Sequence, residues 1–236
     1  MHSLIKVMAK ILMGVDITEV YSPERCTKMA KKYGLKVGLA MDLMTGYDFD
    51  RPEDRKKAWN HLKTEKPMFL IGSPSCREFS VLQHMNKGKS CEKDEEMVRS
   101  HNRAVRHHEF CMALYREQIK AGRYFVHEQP ASASSWSLYC TREVGRMRGV
   151  VTVRADMCQF GLKTVHKGHE GYAMKPTRFM TNSPLMAVEL SRVGSKNHEH
   201  IPLLERRAGP AAVYTEELCR CICRGTMSQK MCDRSK

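Results

Sequence analysis

Residues 67–80 read PMFLIGSPSCREFS, and the two halves of this stretch decide how the chain is built. Pro67 to Gly72 is a continuous apolar run, the pattern of a strand buried on both faces in a helix-covered parallel sheet. Gly72 to Ser80 is a Pro/Ser loop that places Cys76 directly beyond that strand. A cysteine held there by proline-restricted backbone is either a packed thiol in a tight turn or a nucleophile. Arg77 beside it is expected to lower the thiol pKa and raise the thiolate fraction.

Working outward, strand and helix patterns alternate. Val15 to Tyr21 alternates and is β-prone. Ser22-Pro23 suits a helix entry, with Ser22 as the cap, and the helix runs from Pro23 to about Tyr33, where Gly34 stops it. Lys36 to Leu43 is a second strand, Thr45 to Asp50 a loop, and Arg51-Pro52-Glu53 opens a helix reaching about Thr64. Glu92 to Ala121 is the longest helix, with Met97, Ala104, His108, Cys111, Tyr115 and Ile119 on one stripe. Strands follow at Arg123 to His127, Val150 to Asp156 and Arg178 to Thr181, and helices at Pro184 to Arg192 and Glu216 to Cys223. This order predicts an α/β fold of Rossmann-like type, a mostly parallel sheet with helices on both faces. The expected division is an N-terminal extension (1–14), a catalytic domain (15–192) and a C-terminal helical segment with a basic tail (193–236).

In such a sheet, ligands sit beyond the carboxyl ends of the strands. Four reactive groups fall at consecutive strand ends: Glu19, Asp42, Cys76 and Glu128 of His127-Glu128-Gln129-Pro130. The loop Gly72-Ser73-Pro74-Ser75-Cys76-x-x-Phe79-Ser80 resembles the nucleophile loop of cytosine carbon-5 DNA methyltransferases, Gly-x-Pro-Pro-Cys-x-x-Phe-Ser. His127 to Pro130 is similar to that family's Glu-Asn-Pro or Glu-Asn-Val motif, and Lys175-Pro176-Thr177-Arg178-Phe179-x-Thr181-Asn182 to a late element of phage-type members. The resemblance covers roughly residues 15 to 185. It implies a methyltransferase fold with S-adenosyl-L-methionine as cofactor. It implies Cys76 as nucleophile, Glu128 as the group that orients and protonates the base, and Arg178 as a partial stand-in for a missing Gln-x-Arg-x-Arg element. Glu19, Asp42, Ser73 and Pro74 are then the cofactor contacts. The chain departs from the family where no glycine-rich loop precedes Glu19, where Ser75 replaces a proline, and where Gln129 replaces an asparagine. An inactive methyltransferase-fold module that binds nucleic acid, or a fragment of a larger mobile-element protein, is therefore the alternative expectation.

Composition sets the partner class. Forty Lys and Arg against 26 Asp and Glu give a net charge of +14, which favours a polyanion, DNA before RNA. Hydrophobic residues at 42% support a buried core and exclude wholesale disorder. No run is long and apolar enough for a membrane span. Ten scattered cysteines without a signal peptide imply reduced thiols inside a cell, nuclear or cytoplasmic. Cys219, Cys221 and Cys223 read as helix packing with exposed thiols. His198 and His200 with Cys158 or Cys140 have the right chemistry for a metal, but their spacing demands none, and no metal is expected. His107 and His108 divide between solvent and core. Trp59 is expected in the core, and Trp136 lines the base pocket or anchors its loop. The basic runs Lys28 to Lys36 and Arg142 to Arg154 are phosphate contacts or solvated faces.

Overall fold

The computed structural model describes residues 14–80, 91–194, 198–203 and 209–235; the expected N-terminal extension falls almost wholly outside them. Strands β1 (Ile17–Val20), β2 (Val37–Met41), β3 (Phe69–Gly72), β4 (Tyr124–Pro130), β5 (Val151–Asp156) and β8 (Pro176–Thr181) form one sheet in the order β2-β1-β3-β4-β8-β5. β8 alone runs against the others, antiparallel to both β4 and β5. A second, three-stranded sheet orders β6 (Lys163–His166), β7 (His169–Ala173) and β9 (His200–Ile201) as β6-β7-β9.

Both faces of the large sheet are covered. Phe69 and Ile71 of β3 join Ile17, Val126 and Phe179 under α1 (Cys26–Lys32), α5 (Pro184–Leu190) and α6 (Glu216–Arg234). Leu70 faces the other way with Val20, Phe125 and Met180, under α2 (Pro52–Glu65), α3 (Cys91–Lys120) and α4 (Tyr139–Gly145). The uninterrupted apolar run of β3 thus reflects burial on two sides. On α3, Ala104, His108, Cys111 and Tyr115 of the expected stripe are buried.

Several boundaries move for physical reasons. α1 begins at Cys26 rather than Pro23, and Ser22 does not cap it. Glu19 does, its Oε1 accepting from the backbone N–H of Arg25 at 3.1 Å and Thr27 at 2.7 Å, a carboxylate at a helix N-terminus. α6 continues past Cys223 to Arg234 and belongs to the same core, with Lys230 Nζ 2.7 Å from the buried Asp16 carboxylate at the head of β1. The thiols of Cys219, Cys221 and Cys223 are therefore buried, not exposed. α4 and the small sheet carried too little periodicity to be read from sequence. No helix among the described residues is long and apolar enough to cross a membrane.

His108 and His127 meet edge-on with ring centroids 5.0 Å apart, both fully buried. Burial pushes the His108 pKa down to about 4, and burial plus the neighbouring His108 pushes His127 well below its usual range. His107 is half-buried, its ring between the Tyr21 hydroxyl and Asp50.

Two outcomes follow from this packing. A Cβ on Gly72 would overlap Tyr115 Oη and stand 3.0 Å from Cys111 Sγ, so Gly72→Ala is expected to lose about 1–3 kcal/mol in urea unfolding, largely recovered when Tyr115→Phe removes the obstructing oxygen. The unfolded chain takes up protons on both buried histidines below about pH 6.5, whereas folded His108 resists until about 4. Stability is therefore full above pH 6.5 and falls as pH drops toward 4, by about 1.4 kcal/mol per unit for each imidazole. Urea midpoints across this range should show the decline, and His127→Gln should flatten it.

Candidate active site

The chain leaves β1 outward to β2, then returns to β3 on the other side of β1, so the topological switch point lies between β1 and β3. Crevices at such points are the common ligand sites of open α/β sheets. Tyr21, directly after β1, takes a left-handed φ of 54°, a strained conformation for a non-glycine residue and one that clusters at functional sites. Aromatic packing holds it there, with the Phe49 ring 4.6 Å away and a 3.0 Å bond between its hydroxyl and His107 Nδ1.

Parallel pairing of β3 with β4, with Gly72 opposite His127, brings the Cys76 loop beside Glu128 and Gln129. Gln129 Nε2 donates to the Pro74 carbonyl at 2.6 Å and takes a hydrogen bond from Ser135 Oγ at 3.3 Å. The residue that departs from the family pattern is thus the one that ties the loop to β4. Phe79, buried against Ala104 and Ala133, pins the loop's far end. The Ser73 hydroxyl is hydrogen-bonded to the Tyr214 hydroxyl.

Cys76 is half-buried. Burial pushes its pKa up, the nearby Glu128 carboxylate adds to the rise, and the Lys175 ammonium opposes it. Arg77, expected to activate the thiol, is exposed and does not feature in this balance. Glu128 is buried, with Lys175 Nζ 3.5 Å from Oε1. That oxygen makes no hydrogen bond among the described residues and is balanced by this ion pair alone. Lys175 was not singled out from sequence. It reaches Glu128 because β8 is antiparallel and so begins, at Pro176, on the edge where its parallel neighbours end.

Cross-strand register separates the remaining candidates. Glu128 faces the same side as Phe179, whereas Arg178 pairs with Gln129 and stands on the opposite face. Arg178 therefore does not join Cys76 and Glu128. Its exposed guanidinium lies over the Trp136 ring, 5.9 Å from the centroid. Trp136 anchors its loop by donating from Nε1 to the Pro130 carbonyl at 2.9 Å.

Of the four expected cofactor contacts, Asp42 is the one at an open edge. Its carboxylate caps the 3-10 turn Leu43–Thr45, accepting from the Met44 N–H at 3.0 Å, and the Leu43 and Met44 side chains beside it are exposed. Glu19 is fully buried. Besides the α1 backbone it holds Ser22 Oγ at 2.7 Å and Thr27 Oγ1 at 2.7 Å. Burial raises its pKa despite those bonds. Ser73 and Pro74 have their polar oxygens engaged within the protein as described above.

The chain matches no family model, and it matches no curated protein to a significant degree.

The charge balance at the thiol is open to measurement. Lys175→Met removes the opposing cation and should push the Cys76 pKa higher, while Glu128→Gln should bring it down. The pH profile of alkylation by iodoacetamide reads both, and identical profiles in the two variants would show that neither group acts on the sulfur.

Proposed function

We propose that this chain transfers a methyl group from S-adenosyl-L-methionine to carbon 5 of cytosine in DNA through a covalent adduct on Cys76. The observation that carries the reading is the buried Glu128 oxygen without a hydrogen bond, beside a half-buried thiol on the neighbouring strand end. A Rossmann-like methyltransferase fold is consistent with the parallel core of the sheet and its switch point at β1 and β3.

Cytosine carbon 5 is a weak nucleophile until a nucleophile adds at carbon 6. Cys76 sulfur adds to carbon 6 and its proton passes to the Glu128 carboxylate, while the carbon 5–carbon 6 electron pair shifts toward carbon 5 and ring nitrogen 3. Glu128 hands that proton on to nitrogen 3 and, as a carboxylate again, accepts a hydrogen bond from it. Lys175 keeps Glu128 oriented and limits the penalty of two neighbouring negative charges. S-adenosyl-L-methionine supplies an electrophilic methyl group. The partly exposed Asp42 carboxylate would suit its ribose hydroxyls and the exposed Leu43 and Met44 a flat adenine, whereas Glu19 is committed to α1. After transfer, which would leave S-adenosyl-L-homocysteine, the carbon-5 proton goes to water, the sulfur–carbon bond breaks as the ring double bond re-forms, and the nitrogen-3 proton returns through Glu128 to the Cys76 sulfur. A duplex base must be flipped out to reach Cys76.

A DNA partner is supported by the net charge of +14. The raised thiol pKa favours a second reading, a nucleic-acid-binding module without catalysis.

Transfer of tritiated methyl to DNA is expected for the wild type and should fall by about 1,000-fold or more in Cys76→Ser, the scale on which loss of a nucleophile is felt. Equal activity in the two would end the covalent mechanism. Salt-dependent DNA binding without calorimetric binding of S-adenosyl-L-methionine would leave the second reading.

A further inference from the structure

We propose that Cys158, His198 and His200 form a zinc site. One ligand atom from each residue lies within 4.8 Å of the other two, and His200 Nε2 is 3.3 Å from Cys158 Sγ. Around a tetrahedral zinc, with Zn–S about 2.3 Å and Zn–N about 2.0–2.1 Å, ligand atoms stand about 3.3–3.6 Å apart. The sulfur and the His200 nitrogen are near that spacing, and the His198 ligand atom lies within 4.8 Å of both.

Convergence follows from the fold. His198 and His200 flank Glu199 on extended chain entering β9, so both rings project to one side, their centroids 4.5 Å apart. β9 is held by parallel pairing of His200 with Tyr172, and the Tyr172 ring lies 4.5 Å from that of His198. Cys158 comes from the 3-10 turn Met157–Phe160, directly after β5. A thiol hydrogen-bonded to one imidazole would be an ordinary packing contact. A second imidazole, from His198 just ahead of that strand, is what turns the contact into a ligand set.

Gln159 Nε2 donates toward Cys158 Sγ at 3.9 Å. Asp156 Oδ2 accepts from the Gly194 N–H at 2.9 Å and so fixes the backbone beside the sulfur. One soft thiolate with two imidazoles selects zinc over magnesium or calcium, which prefer oxygen. Three protein ligands leave the fourth position to water or an added ligand. A metal here would clip β9 to the end of β5. The same turn is bonded, through the Met157 N–H at 3.1 Å, to the carbonyl of Lys175.

The test uses the chain stripped of metal and titrated with Zn2+ and, separately, with Co2+. One equivalent of each is expected, with a sulfur-to-cobalt charge-transfer band and the intense visible bands of tetrahedral cobalt. Cys158→Ser should abolish the charge-transfer band. His200→Ala should weaken zinc binding by about 100-fold or more, while Cys140→Ala leaves it unchanged. Circular dichroism checks that each variant is folded. No stoichiometric binding by folded wild type, or a charge-transfer band that survives in Cys158→Ser, overturns the proposal. If Cys158→Ser does not fold, the wild-type spectrum decides alone, since a cobalt complex without sulfur ligation is equally fatal.

Discussion

The hydrogen bond from Gln129 Nε2 to the Pro74 carbonyl sets the distance between the two groups on which the candidate chemistry turns. The parallel register of β3 and β4 brings their ends level, but register alone would leave the loop after Gly72 to choose its own path. Proline at 74 fixes one backbone angle, Gln129 holds the carbonyl, and buried Phe79 closes the loop from the far side. Cys76 sits between these anchors, so its sulfur is positioned by groups that need not take part in any reaction.

That placement sets up an opposition of charges. Burial and Glu128 both disfavour a thiolate, and one cation, Lys175, favours it. The buried Glu128 oxygen is balanced by one ion pair, to Lys175 Nζ at 3.5 Å, and by no hydrogen bond among the described residues, so burying it is a cost to the fold. The two large apolar layers on either side of the sheet supply the stability that tolerates it. Tyr21 shows the same trade at the end of β1, where a strained backbone persists because aromatic neighbours over-determine it.

Much of this was legible in residue order. The apolar run into β3, the helical stripe of α3 and the reactive groups at strand ends are local patterns, set by side-chain periodicity and by the punctuation of Gly and Pro. Cys76, Glu128 and Asp42 could be singled out because each lies near the carboxyl end of a strand. Lys175 was not, since its meeting with Glu128 depends on β8 running antiparallel, a direction that no local periodicity records. Arg178 was misplaced for the related reason that a one-residue step in a strand changes the face. Glu19 reads as a free acid in sequence and becomes a helix cap only when α1 folds back over β1.

The sequence by itself determined the class of fold, the order of its elements and the line of reactive groups along one edge, because those follow from short-range patterning and from burial on two faces. Only the tertiary structure decided which carboxylate is spent on the fold and which is left facing a thiol, and which histidines meet a cysteine forty residues away in sequence. Those outcomes depend on strand direction, register and helix placement, which arise from long-range packing that no single stretch of chain contains.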